Sequence, residues 1–356
     1  MIASEAPNPG LSPATPSTSE PSTCEPSTGT PFVLAHLSDP HLGPLPRPRV
    51  GELTSKRLLG YINWQRGRRR IHLRDSLDAL TADLKGVGPD HVAVTGDLVN
   101  IALPDEFVHA RRWLDTLGAP RDVSVVPGNH DAYVAGAGVH RDHHWLPYMT
   151  GDADAGPNAL SAAVPQASED LPMPLPAPAG ATAAVSGEDG FPYLRRRGPV
   201  ALIGVSSAVP TAPFLATGVV GAAQLARLVR VLRATRAEGR FRIVMIHHPP
   251  VPAAHHKCLT DAAAFQRALA DAGAELIIHG HDHVHSLAAI AGPGAQVPVV
   301  GVPSASVSSG AKRRGGGYNL YRVGGGPGGW SCEVVSRGLR PSGAVAEVDR
   351  FTLSWR

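Results

Sequence analysis

The chain of 356 residues is 43% hydrophobic and 18% charged, enough to bury the core of one large domain or two modest ones, which excludes pervasive disorder. A net charge of +3 is too small to mark a general nucleic-acid binder, and no apolar run reaches the roughly 18 residues of a membrane span. The three cysteines, Cys24, Cys258 and Cys332, are far apart and form neither a disulfide framework nor a metal spacing, which fits a reducing cytoplasm.

Residues 1–30 hold 6 Pro, 6 Ser and 5 Thr and too little apolar surface to offset the entropy of ordering, so a disordered tail is expected there. It lacks the basic start and apolar stretch of a secretory signal. Short apolar runs then recur at 31–37, 91–94, 123–126, 200–203, 243–246 and 276–278, and short runs of this kind, bounded by turn residues such as Gly, Pro or Asp, suit buried strands. Helical stripes separate them: Leu73, Leu77, Leu80, Leu84 and Val87; Phe107, Ala110, Leu114 and Leu117 behind a cap at Asp105; Leu225, Leu228, Val229 and Leu232; Phe265 and Leu269. This alternation predicts an α/β domain over 31–340. Residues 142–194, with seven acids and no Lys or Arg, are expected to be a long mobile insertion at its rim. Gly-punctuated strands at 297–302, 318–323 and 330–335 close the domain, and 341–356 is read as a C-terminal segment of the same unit.

The chemistry is carried by five clusters at the carboxyl ends of those strands: Asp39-Pro40-His41, Gly96-Asp97, Gly128-Asn129-His130-Asp131, His247-His248 and Gly280-His281-Asp282-His283. Ligands gather at that end of strands in α/β folds. Imidazoles, carboxylates and one amide suit Zn, Mn or Fe. In extended backbone, residues i and i+2 point the same way, so Asp39 and His41 are expected to grip one ion together, and His281 and His283 to approach a common centre. The donors suffice for two ions, the clamp used in phosphoryl chemistry. The other histidines, among them His72 and His248, are read as ordinary structural side chains. Segment 47–74 carries nine Lys or Arg against one acid, with Leu, Ile and aromatic residues between them. It is either a solvated basic surface or a contact for a nucleotide, single-stranded nucleic acid or anionic lipid, for which Trp64, Arg66, Arg68, Arg69 and Arg70 are the candidate residues.

The ordered series Asp39-x-His41, Gly96-Asp97, Gly128-Asn129-His130-Asp131, His247 and Gly280-His281-x-His283 resembles the calcineurin-like metallophosphoesterases. The resemblance implies two packed mixed β-sheets flanked by helices. It implies two divalent or mixed-valence ions (Mn, Fe or Zn), one held by Asp39, His41 and His283, the other by Asn129, His247 and His281, with Asp97 bridging them. A metal-bridging hydroxide would attack a phosphodiester, His130 would assist the leaving group, and Asp131 would orient His130 by a hydrogen bond. Family phosphatases acting on protein Ser/Thr carry Asp-Arg-Gly after Gly-Asp, where this chain has Leu98-Val99-Asn100. The best-known lipid A branch carries Arg where His130 stands. The series is most similar to the bacterial cyclic-nucleotide and glycerophosphodiester phosphodiesterases. The alternatives are a nuclease, a nucleotide-linked lipid pyrophosphohydrolase, or a non-catalytic metal-stabilised binding module. The expected partner is a phosphate-ester substrate with no obligate protein partner, and the expected location is cytoplasmic, with segment 47–74 allowing contact with the inner membrane surface.

Overall fold

A computed structural model describes residues 29–54, 56–153, 190–310 and 315–355. Two six-stranded mixed sheets form its centre. The first runs in the order β12 (Val345–Thr352), β11 (Ser331–Leu339), β10 (Gly317–Gly324), β1 (Phe32–Leu37), β2 (His91–Val94), β3 (Val123–Val125). The second runs β4 (Tyr193–Arg197), β5 (Val200–Gly204), β6 (Phe241–Met245), β7 (Leu276–His279), β9 (Val297–Gly301), β8 (Ser286–Ile290). Strands β1, β2 and β3 are mutually parallel, as are β5, β6, β7 and β9, so their carboxyl ends line up within each sheet.

The period-two alternation of strand side chains explains the layering. Leu202, Ile243, Met245, Leu276, Ile278 and Val300 join the first sheet in one core. Their neighbours Ala201, Ile203, Val244, Ile277 and Val299 pack with Leu225, Leu228 and Leu232 of α5 (Ala222–Ala237) and Phe265 and Leu269 of α6 (Ala262–Ala272) in a second. A strand covered on both faces reads as an unbroken apolar run, which is why these strands were visible in the sequence. β12 was not: four consecutive residues from its third onward are exposed, so no apolar pattern marks it.

Helix α2 (Arg74–Val87) buries Leu77, Leu80 and Leu84 and stops at Gly88, whose φ of 63° suits a residue without a side chain. Helix α3 (Pro104–Leu117) corrects the expected cap. Pro104, with no N–H to satisfy, takes the first helical position after Leu103. Buried Glu106, not Asp105, accepts the N–H groups of Asn100 (2.6 Å), Ile101 (3.2 Å) and Leu103 (2.8 Å).

The insertion expected at 142–194 is narrower at both ends. Residues 142–145 complete α4 (Ala137–Trp145), and Trp145, Tyr148 and Met149 are buried in the main core. Arg195 of β4 clamps the returning chain, donating to the carbonyls of Thr150, Pro147, Pro120 and Val123 at 2.6–2.8 Å. The described acids of the segment, Asp142 and Asp152, pair with Arg141 and Arg197. The rest of that expectation, and nearly all of the tail expected at 1–30, lie outside the described residues.

Two buried histidines outside the candidate ligand set make stability acid-sensitive. Burial, aided by the cations Arg195 and Arg197, pushes His91 down to about 3, and burial aided by His279 pushes His36 to about 3. Both are therefore neutral when folded and protonate near pH 6.5 when unfolded, so stability is full above that pH and falls as pH drops toward 3. Each should cost on the order of 2–3 kcal/mol by pH 4.5. The urea midpoint at pH 4.5 and 7.5 checks this, and His91→Gln should narrow the gap.

Candidate metal centre

The loops after β1, β2, β3, β6 and β7 converge. The N–H of Asp39 donates to Gly96 O and that of His41 to Asp97 O, both at 3.0 Å, which zips the first two loops together. The N–H of His281 donates to Asp39 Oδ2 at 3.0 Å and ties in the second sheet. Such close approach excludes side chains at the glycines. A Cβ on Gly96 would stand 2.4 Å from Gly128 N, and one on Gly128 would stand 2.3 Å from Asp97 Oδ1.

The extended backbone expected of Asp39-x-His41 and His281-x-His283 is not found. Asp39 (φ 52°), His41 (37°), Asp97 (55°), His281 (70°) and His283 (57°) are all left-handed. These are five of the seven non-glycine residues at positive φ among those described, so backbone strain is concentrated at this point. The strands end at Leu37 and His279, and the chain must turn sharply to aim these side chains inward.

The convergent atoms fall into two groups. In the first, His41 Nε2 and His283 Nε2 are 3.3 Å apart, and His283 Nε2 is 3.1 Å from Asp39 Oδ1. In the second, His247 Nε2 is 3.2 Å from Asn129 Oδ1 and 3.3 Å from His281 Nδ1. Asp97 Oδ2 stands between them, 3.8 Å from His41 Nε2 and 3.5 Å from His247 Nε2. Each group thus offers three donors plus the shared carboxylate. The far nitrogens face backbone carbonyls: His41 Nδ1 on Val99 O, His247 Nδ1 on Thr95 O and His281 Nε2 on Lys257 O. Such bonds fix the tautomer and turn the near nitrogen's lone pair toward a cation.

Protonation agrees with this. Burial alone would raise both carboxyls. Instead His247, His130 and His41 hold Asp97 well below the usual range, and His283 holds Asp39 at about 2. Burial lowers His41 far below its ordinary value and His281 to about 3, so both imidazoles are neutral. Against burial, Asp97 pushes His247 up to about 10. Two carboxylates, four imidazoles and an amide converging on two points fit a pair of borderline divalent ions.

Beside the centre, His130 donates its backbone N–H to Asp97 Oδ1 at 2.7 Å. Asp131 does not orient it. The Asp131 carboxylate is spent on the N–H groups of Asp97, Leu98, Val99 and Gly128, bracing the loops that carry the ligands. The His130 ring is set instead by Asn100 O at Nδ1, by Arg68 Nη1 at Nε2 (3.1 Å) and by stacking on Tyr133. Burial, with Arg68 nearby, lowers His130 to about 4.

Segment 47–74 divides sharply. Arg68 reaches the centre, and its Nε and Nη2 are buried with no partner. Arg66 lines the same cavity of about 700 Å³, as do Lys56 and Tyr133. Trp64, Arg69 and Arg70 do not. Trp64 is 4% exposed and packs against Gly43, Arg69 bonds Gln65 Oε1, and Arg70 is exposed outside the cavity. A helix shows only one face to a cleft, so one basic run cannot all reach it. Two histidines read as ordinary belong here. His72 lies with its ring 4.6 Å from that of His41, and His248 lies 4.5 Å from that of His281. His72 is isolated in sequence, and His248 directly follows His247, whose position at the strand end takes the ligand role.

Among known proteins, the calcineurin-like phosphoesterase family matches residues 32–285, and the chain belongs to that family. It is 32% identical over 102 residues to the glycerophosphodiester phosphodiesterase GpdQ of Enterobacter lignolyticus (strain SCF1), a match spanning 28% of this chain and 30% of that one. The fold is similar to a dimetal phosphatase from Danio rerio, LOC 393393 (TM-score 0.56, 12% identity), covering 92% of this chain and 100% of that one. It is also similar to the purple acid phosphatase PPD1 from yellow lupin (Lupinus luteus) seeds (TM-score 0.50, 12% identity), covering 93% and 55%.

Proposed function

We propose that this chain is a dinuclear metal-dependent hydrolase of phosphodiesters. The observation that carries the reading is the pair of donor groups sharing Asp97, with His130 and Arg68 beside them. Asp39, His41, His283 and Asp97 would hold one ion, and Asn129, His247, His281 and Asp97 the other, with Mn, Fe or Zn as candidates. When bound, such a pair supplies Lewis-acid charge and a water acidic enough to give hydroxide near neutral pH.

The side chains supply the rest. Arg68 offers two unused N–H groups in a fork that matches phosphate oxygens. Without substrate its third nitrogen occupies His130 Nε2. A substrate oxygen that draws Arg68 away frees that nitrogen to take up a proton released by the attacking water and pass it to the leaving group, while Asn100 O and Tyr133 hold the ring in place. The preference for diesters is supported by the partial likeness to a glycerophosphodiester phosphodiesterase.

The test is hydrolysis of bis(4-nitrophenyl) phosphate against 4-nitrophenyl phosphate after loading with each metal. A kcat/KM at least about tenfold higher for the diester is expected; the reverse order would make the chain a monoesterase. Arg68→Gln should raise KM about tenfold or more and leave metal content unchanged, which elemental analysis checks.

A further inference from the structure

The mouth of this cavity differs from its floor. The metal-ligand candidates are buried except for part of His283, and the Arg68 head group is buried beside them, but four apolar side chains of the lining are open to water, next to the exposed Asn63, Arg66 and His256. Leu59 and Ile62, three residues apart on α1 (Lys56–Arg66), are 42% and 37% exposed. Phe214 and Leu215, from the loop between β5 and α5, line the same cavity at 85% and 41%. Single exposed apolar residues are ordinary, but four lining one cavity are a patch.

The loop is held rather than loose. Buried Lys56 donates its ammonium to Thr211 Oγ1 (2.8 Å), Thr211 O (3.2 Å) and Leu215 O (3.3 Å), and Thr211 Oγ1–H donates to Leu215 O (2.7 Å). This brace presents Phe214 in a left-handed conformation, φ 67°, that a bulky residue rarely adopts. Backbone strain of this kind clusters at ligand clamps, and here it holds an aromatic ring 85% exposed at the cavity mouth. Cations lining the same cavity, Arg66, Arg68 and Lys257, complement an anionic head.

We propose that the substrate is an amphiphile, a phosphodiester whose head sits at the metal centre and whose single alkyl or acyl chain lies on Leu59, Ile62, Phe214 and Leu215. The placement of the head rests on the phosphodiesterase reading, whereas the chain contact rests on the rim alone.

The test measures calorimetric binding of methylphosphonate and octylphosphonate, below micelle concentrations, to the metal-loaded full chain. The octyl compound should bind at least about tenfold more tightly. The double variant Phe214→Asn/Leu59→Gln should remove that advantage, and Val348→Ser, which deletes an exposed apolar residue on β12, should keep it. Asn tolerates left-handed backbone and Leu59 is exposed, so neither change threatens folding. Equal affinity for the two compounds, or an advantage surviving the double variant, overturns the proposal. Hydrolysis of methyl and octyl 4-nitrophenyl phosphate runs in parallel. If neither is cleaved, the phosphodiesterase reading fails, while the binding comparison still decides whether the rim takes an alkyl chain.

Discussion

Asp97→Ala is expected to abolish hydrolysis and strip metal together. Its Oδ2 stands between the two donor groups, at 3.8 Å from His41 Nε2 and 3.5 Å from His247 Nε2. Without it each group falls to three donors and the centre loses one of its two buried carboxylates. The two ions' mutual repulsion would then go unrelieved. Losing several kcal/mol of transition-state stabilisation corresponds to a rate at least about 10³-fold lower. Asp97→Asn keeps the shape and the bond to the His130 N–H but removes the charge, so it should fall nearly as far. Elemental analysis and steady-state rates on the same preparations check both variants. Retained activity in either would show that no bridging carboxylate is needed.

His130→Ala should separate the two losses. Its ring nitrogens are engaged by Asn100 O and Arg68, not by the donor groups, so metal content should stay at the wild-type level. Turnover should drop by about 10²-fold or more, the usual size of a lost proton-transfer group. The drop should be smallest for a diester with a 4-nitrophenolate leaving group, which needs little protonation, and largest for an alkyl leaving group. Equal losses for both would mean that His130 orients the phosphate without delivering a proton. A loss of metal would make it a ligand.

The centre was legible in the sequence because its residues lie immediately after buried strands, where unbroken apolar runs such as 243–246 and 276–278 give the strand positions away. Parallel strands place those ends together, so order along the chain became proximity in space. What failed was local geometry. Alternation along an extended strand suggested that Asp39 and His41 point the same way, but both lie past the end of β1 in left-handed backbone. Asp131 followed His130 in sequence, yet its carboxylate is consumed by four backbone N–H groups. Arg68 could not be told from Arg69 or Arg70 by composition, because only the 3-10 turn at Arg68–Arg70 decides which of the three enters the cavity. Phe214 carried no signal at all. It sits in a Pro- and Ala-rich loop with no periodicity, and its meaning comes from Lys56 holding that loop beside α1.

The most direct measurement is the metal stoichiometry of the refolded, metal-saturated chain by mass spectrometry, alongside Asp39→Ala and Asn129→Ala. Two ions per chain are expected in the wild type and one in each variant, since Asp39 and Asn129 belong to different donor groups while Asp97 remains in place. A wild-type chain that saturates at one ion, or variants that both keep two, would contradict a paired centre built on a shared aspartate.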